Sequence, residues 1–440
     1  MKIGVRTEDK SQWERRVPLV PEDINALRAA GIKAVVQAGH QRAFADEEFV
    51  QAGVEVQKEL SDCDVIIGIK EIPKAKLEAG KVYLFFPHVI KGQPANMPML
   101  RRLMELKATL IDYERIVDDH NRRLIFFGRH AGLAGMINTL WSLGKRLEAE
   151  AVPSAFGRLK QARAYAELAG AREDLTRIAA RIAADGVPPA IHPLIVGFTG
   201  YGNVSQGAQE ILDLLPLVTI SPSELKNTAQ ERTRDPRVVY KVVFREEDLV
   251  EPLEPGAAFD LNDYYLRGAA GYRSVFDRHV AHLSVLVNCV YWDERYPRLL
   301  TLEQCRRLWA PGRSPKLKVI GDISCDVGGS IECTVKATEP GNPVYVYEPH
   351  TGAVKDGFAG EGPAVMAVDI LPSEIPRESS IDFSRVLKPL IPHLASADLS
   401  QPFDRLALPP ELKRAVIVYK GELTPDYAYL DSFLAPAAPP

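Results

Sequence analysis

The sequence predicts an α/β protein of two domains, each built on a mainly parallel sheet, with an interdomain active-site cleft. Three observations predict it. The chain has 440 residues, beyond the size at which one core usually stops growing. Its first 130 residues alternate short apolar runs with amphipathic segments, the pattern of a parallel sheet covered by helices. Residues 194–208, LIVGFTGYGNVSQGA, then read as strand, glycine turn and helix, where a pyrophosphate rests on backbone N–H groups at a helix N-terminus. Both domains are therefore read as Rossmann-like.

Taken in order, KIGVR, AVVQAG, DVIIGIKE and KVYLFF are strand-like, and the segments near PEDINALRAAG, DEEFVQAGV and PMLRRLMELKATL are helical. Residues 110–127, LIDYERIVDDHNRRLIFF, place two strand-like runs around Asp118-Asp119-His120-Asn121, which predicts a hairpin. From Ala131 to about Ala184 the pattern is helical, interrupted at Pro153, and Pro188 and Pro189 break it before the glycine-loop strand. VTISPSEL, RVVYKVVF, HLSVLVNCVYW and KLKVIGDIS continue the second domain. The expected boundaries are a discontinuous substrate domain, 1–135 plus 330–430, a connecting helix and helical insertion, 136–189, a dinucleotide-binding domain, 190–329, and a tail, 431–440.

Composition narrows the function classes. Hydrophobic residues are 46% and charged residues 25%, and the formal charge of −4 offers no electrostatic case for nucleic acid. No apolar run is long enough to cross a bilayer, and MKIGVRTEDK reads as a strand followed by charges rather than a signal peptide. A cytoplasmic enzyme with small-molecule partners is expected, of unspecified oligomeric state. Cys63, Cys289, Cys305, Cys325 and Cys333 lack the spacing of a metal site or a disulfide framework, so buried reduced thiols are expected.

In the glycine loop, Gly200, Gly202, Asn203 and Val204 are expected to meet the cofactor, with Ser205 standing where a third glycine is usual. About 20 residues on, where an acid grips the ribose 2′-hydroxyl of NAD, the run VTIS ends at Ser221. With Lys226, Arg232 and Arg234 following, this favours NADP(H) over NAD(H).

Lys70 follows DVIIGI and His88 follows KVYLFFP, both at C-terminal strand ends where open α/β sheets place ligand groups. An ammonium and an imidazole at neighbouring strand ends suit proton transfer. Taken singly, each is as well explained as a solvated lysine or a packed histidine. Arg15 and Arg16 in ERRVPLVP, and Arg122 and Arg123, offer planar forks for substrate carboxylates. Glu114 and Asp322 are acids in apolar strands, able to hold a substrate ammonium or to pair within the protein.

The motifs ERRVPLVPED, GIKEIP, FFPHVIKGQPANM, IDYERIVDD, FGRHAGLAGMIN, FTGYGNVSQGA, LVNCVYW and GDISCDVGGSIE together resemble the lysine-2-oxoglutarate reductase portion of the bifunctional aminoadipic semialdehyde synthases. The likeness runs from about residue 3 to 430. More remotely the chain is similar to lysine-forming saccharopine dehydrogenases and to alanine dehydrogenase and the nucleotide-binding part of transhydrogenase. The resemblance implies reductive condensation of lysine with 2-oxoglutarate to saccharopine. It implies a free-standing reductase that ends where the bifunctional protein begins its second dehydrogenase. By matched motif it gives Lys70 and His88 as the acid-base pair and Lys91 as a further substrate group. Arg16 and Arg123 become carboxylate anchors, Glu114 an acid that tunes the lysine, and Asp322 an active-site aspartate between the domains. The competing expectations are an alanine-dehydrogenase-like enzyme using ammonia, a related reductase with another amine, and a catalytically silent nucleotide-binding subunit. Residues 155–185 match no function of the family.

Overall fold

A computed structural model describes residues 1–231, 233–313 and 315–434. It resolves into two compact units, Met1–Phe127 with Pro376–Pro440, and Gly128–Ile375.

The first unit begins with β1 (Lys2–Val5), β2 (Lys33–Gln37), β3 (Glu55–Gln57), β4 (Val65–Ile67), β5 (Val82–Phe85) and β6 (Thr109–Asp112). All six pair in parallel, in the order β6-β5-β4-β1-β2-β3. Every residue of β4 and β5 is buried, as a strand covered on both faces must be. The ladder between them runs past both strands: Gly68 N donates to Leu84 O at 3.0 Å and Phe86 N to Ile69 O at 2.9 Å. Residues 70 and 88 thus leave the sheet from the same edge.

The second unit opens with the helix Gly128–Ala149, continues through Leu168–Asp185, and then enters its sheet. Its strands are β7 (Ile195–Thr199), β8 (Leu217–Thr219), β9 (Val239–Phe244), β12 (Val285–Asn288), β13 (Val319–Asp322), β14 (Val344–Tyr347), β15 (Val354–Asp356) and β16 (Ala364–Met366). β10 (Val250–Pro252) and β11 (Tyr272–Ser274) form a separate antiparallel pair. The sheet order is β15-β14-β16-β13-β12-β7-β9-β8. The chain then returns to the first unit, where β17 (Val416–Tyr419) lies antiparallel to β6 and β18 (Glu422–Leu423) closes the edge.

Four expectations need correction. The substrate domain does not resume at 330: β14 and β16 extend the second sheet antiparallel and parallel to it, and the return begins at Pro376. The first domain correspondingly ends at Phe127 rather than 135, and residues 136–189 belong to the second unit. The run beginning at 110 is not a hairpin arm, because β6 pairs with β5 and β17; the reversal is confined to residues 116–124, with Asn121 at φ 58° and a bridge from Val117 to Arg123. Of the expected tail, Asp431–Leu434 is helical, and residues 435–440 lie outside the described residues.

The 155–185 segment has a structural explanation. Leu168, Ala171, Leu175, Ile178 and Ile182 form the buried stripe of its helix and pack into the core of the second unit. Ahead of it, buried Glu374 accepts hydrogen bonds from Gln161 Nε2 at 3.3 Å and Arg163 N at 3.2 Å, while Ala162 N donates to Asn138 Oδ1 at 2.9 Å. Burial pushes the Glu374 carboxyl up to about 7 against these donors. Among the described residues, no helix is long and apolar enough to cross a membrane.

Two predictions follow from packing and burial. Where the Gly128–Ala149 helix crosses Asn203–Leu212, a Cβ on Gly207 would lie 2.1 Å from Arg129 O and one on Gly132 2.0 Å from Val204 O. Gly207→Ala therefore forces the helices apart, and urea unfolding is expected to show a loss of about 1–3 kcal/mol. The folded state holds the Glu374 proton from about 4.5 to about 7, where the unfolded chain has released it, so this group's stabilisation is present at low pH and lost as pH rises. Glu374→Gln is expected to flatten the fall in stability between roughly pH 5 and pH 8 by on the order of 2 kcal/mol, measured as the difference from wild type.

Candidate active site and dinucleotide loop

At the C-terminal edge of the first sheet, Glu8 organises the turn that carries Lys70. Glu8 is 6% exposed; its Oε1 accepts from Ile69 N at 2.7 Å and its Oε2 from Lys70 N at 3.0 Å. Burial pushes its carboxyl up to about 7, opposed by the Arg6 guanidinium. The residue after Lys70 is Glu71, whose Oε1 lies 2.7 Å from His88 Nδ1 and whose Oε2 lies 2.6 Å from Lys10 Nζ. Burial alone would raise Glu71, but the hydrogen bonds from His88 and Lys10 outweigh it and hold the carboxyl at about 2. Glu71 is thus an anion throughout the neutral range. His88 itself sits at φ 48°, half-buried, with its carbonyl accepting from Asn96 Nδ2 at 3.1 Å. With Nδ1 engaged by a carboxylate, Nε2 is the ring nitrogen left for chemistry.

Sequence reasoning did not single out Glu71, although it stands inside GIKEIP. The signal was an acid directly after a strand-end lysine, and what hid it was that its partner lies 17 residues away.

The arginines divide. Arg123 is half-exposed and meets Glu114 Oε1 through Nη2 at 3.3 Å, leaving the rest of its fork toward solvent. Arg16 is 4% exposed, donates through Nε at 2.8 Å and Nη2 at 2.5 Å to buried Glu14, and lies 4.2 Å over the Phe127 ring. The fork expected to clamp a substrate carboxylate is therefore already closed on Glu14, and Nη1 remains as its other terminal donor. Lys91 is exposed in the turn after His88. Behind Glu114, Asp112 is fully buried at the end of β6 and is pushed up to about 8 by burial and by Glu114.

Asp322 pairs within the protein. It is 1% exposed, with Oδ1 accepting from Asn288 Nδ2 at 2.8 Å and Cys325 N at 3.2 Å and Oδ2 from Thr334 Oγ1 at 2.5 Å. Asn288 Oδ1 in turn accepts from Thr199 Oγ1 at 2.7 Å. Asp322 thus ties together the ends of β7, β12 and β13, which is the intraprotein alternative for this acid. Burial pushes its carboxyl up to about 6 despite these donors.

The glycine loop fits a dinucleotide. Gly200 adopts φ +83°, in the left-handed region that favours glycine, and Gly202 caps the Asn203–Leu212 helix. Asn203 and Val204 begin that helix, so their N–H groups are among those without intrahelical acceptors. Ser205 is buried and accepts from Gln209 Nε2 at 3.0 Å.

Ser221 does not stand on the strand that borders β7. Ser221 follows β8, which is the edge strand, and β9 separates it from β7. Its N and Oγ both donate to Glu224 Oε2, at 2.8 and 2.7 Å, so an acid does stand beside it. Arg234 is paired with Glu231 at 2.7 Å, and Arg232 lies outside the described residues. The strand bordering β7 is β9, with Thr199 opposite Phe244 and Gly200 N donating to Phe244 O at 3.0 Å, and the next residue is Arg245.

Comparisons with known proteins agree with this architecture. Residues 4–134 match the alanine dehydrogenase/PNT N-terminal domain family. The chain is 38% identical to alpha-aminoadipic semialdehyde synthase of Arabidopsis thaliana over 97% of its own length and 41% of that protein's. It thus spans less than half of that relative. It is 26% identical to a Yarrowia lipolytica protein named saccharopine dehydrogenase (NAD(+), L-lysine-forming), covering 92% of this chain and 95% of the other. A solved L-alanine dehydrogenase superposes with a TM-score of 0.62 at 19% identity, covering 99% of this chain and all of that one, which shows a shared fold. Residues 4–134 thus carry the alanine dehydrogenase/PNT N-terminal domain, and nearly the whole chain is similar to a part of the aminoadipic semialdehyde synthases.

Proposed function

We propose that the chain is a lysine-2-oxoglutarate reductase, an oxidoreductase that joins L-lysine to 2-oxoglutarate and reduces the product reversibly to saccharopine, with NADPH the favoured cofactor. The observation that carries this reading is Lys70 beside the His88–Glu71–Lys10 relay on one sheet edge, within a chain whose relatives bear the names given above.

The chemistry asks four things of the protein. The ε-amine of lysine must be neutral to attack the ketone carbon. His88 Nε2 is suited to take that proton, because Glu71 engages Nδ1 and stabilises the imidazolium that forms. The carbinolamine must lose its hydroxyl as water, and the Lys70 ammonium at the neighbouring strand end supplies a proton to it. The substrate carboxylates must be held, and Arg123, Lys91 and Arg16 Nη1 are the cations for this. When bound, the nicotinamide supplies the hydride that reduces the imine carbon. The loop Gly200–Gly202 and the N–H groups of Asn203 and Val204 would hold its pyrophosphate.

The deciding assay follows NADPH oxidation, and separately NADH oxidation, by the purified chain with 2-oxoglutarate and either lysine or ammonium, with product mass recorded. Lysine-dependent turnover giving saccharopine is expected. Turnover with ammonium alone would transfer the chain to the alanine-dehydrogenase type, and no turnover with any nicotinamide and either amine would overturn the reading. Lys70→Met is expected to lower kcat by about 10²–10⁴-fold, the range for removal of a general acid-base group. Glu71→Ala should lower kcat by about tenfold or more with a smaller effect on KM, because it removes one charge-assisted hydrogen bond that orients the imidazole.

A further inference from the structure

The strand order of the second unit, rather than the spacing of its sequence, locates the group that reads the adenosine ribose. In nucleotide-binding sheets of this kind, the ribose lies at the C-terminal end of the strand next to the glycine-loop strand. An acid there accepts from the 2′-hydroxyl and repels a 2′-phosphate, whereas an arginine nearby accommodates the phosphate. In this chain that neighbour is β9, in register with β7 along its whole length from Ile195↔Tyr240 to Thr199↔Phe244.

The side chains at this point favour an anion. Phe244, the last residue of β9, is fully buried and carries no acceptor. Arg245, which follows it, is exposed, and its guanidinium carbon lies 4.7 Å from the ring centroid of Tyr201, the residue between Gly200 and Gly202. The Arg245 N–H donates to Asp248 Oδ2 at 2.9 Å, which fixes the turn beneath it. No ion pair among the described residues takes up the Arg245 charge. Glu246, the first acid after the strand, is otherwise engaged: Tyr265 Oη donates to its Oε1 at 2.8 Å. A cation thus lies over the Tyr201 ring of the glycine loop, while the adjacent carboxylate accepts from Tyr265.

We propose that Arg245, stacked on Tyr201, selects dinucleotides that carry a phosphate on the adenosine 2′-oxygen. The assignment rests on the reading of the Gly200–Gly202 loop as a nicotinamide dinucleotide site. It also replaces Ser221 as the selecting position. The planar fork of Arg245 meets two phosphate oxygens side by side, and its other face remains on the Tyr201 ring.

The test uses the full chain and needs no turnover. Calorimetric titration with 2′,5′-ADP and with 5′-ADP, which differ only in the 2′-phosphate, is expected to show about 10- to 100-fold tighter binding of the former, the range for charge-assisted hydrogen bonds to phosphate. Arg245→Ala should abolish that difference while leaving 5′-ADP affinity within about twofold, and Arg245→Lys should restore part of it, because the charge returns without the fork. The NADPH-to-NADH ratio of kcat/KM should fall in parallel. Thermal unfolding of each variant, matching wild type, excludes misfolding as the cause. A wild type that binds the two nucleotides equally, or an Arg245→Ala protein that keeps the preference, overturns the assignment while the loop reading stands. A wild type that binds neither nucleotide overturns both.

Discussion

The carboxylate of Glu8 is the constraint on which the C-terminal edge of the first sheet depends. A strand that ends at its last ladder bond leaves the next residues free to wander. Glu8 accepts the backbone N–H groups of both Ile69 and Lys70, so the turn is held through its main chain. Because Glu8 is nearly inaccessible, each oxygen has to find donors within the protein. The neighbouring Glu71 and His88 then orient one another across the extended β4–β5 ladder. Three successive positions, 69 to 71, are thus fixed, two by Glu8 through the main chain and the third by its side-chain contact with His88.

The second unit holds its binding edge differently. Here the strand ends are tied by side chains: Thr199, Asn288, Asp322 and Thr334 form one buried hydrogen-bonded chain across β7, β12 and β13. Such a network is worth having only when every member is satisfied, since an unpaired polar group in the low-dielectric interior costs more than its bond returns. Asp322 meets that condition with three donors. Its burial is therefore explained by the rigidity it gives to the end of the glycine-loop strand, which must present Gly200 at a single conformation.

Much of this was legible in the sequence, and the exceptions share a cause. Strands such as DVIIGI and KVYLFF, the glycine loop and the break at Pro188-Pro189 announce themselves through local pattern. Strand order does not. The chain passes from the glycine-loop helix to the edge strand β8 before β9 fills the gap beside β7, and no periodicity records that exchange. Counting residues to Ser221 consequently reached the edge strand rather than the neighbour of β7, and Arg245, which follows that neighbour, stands in the charge run Arg245-Glu246-Glu247-Asp248. The misplaced boundary at 330 has the same origin, because β14 and β16 continue the second sheet without the helical spacer that marks a parallel crossover. Glu71 and Glu8 were invisible for a further reason: their roles come from partners 17 and 61 or more residues distant.

Arg16 shows why residue type alone could not decide a role. Its sequence context, two arginines after a first strand, suits a substrate clamp, and its chemistry is that of a carboxylate binder. The carboxylate it binds is Glu14, at two contacts inside the protein. Burial would drive Glu14 toward its neutral form, but the Arg16 guanidinium keeps it below the usual carboxylate range, with Lys70 adding to the same effect. Arg16 therefore acts first on Glu14: removing the guanidinium would leave a buried carboxylate without its main compensating charge, and the loss would be electrostatic.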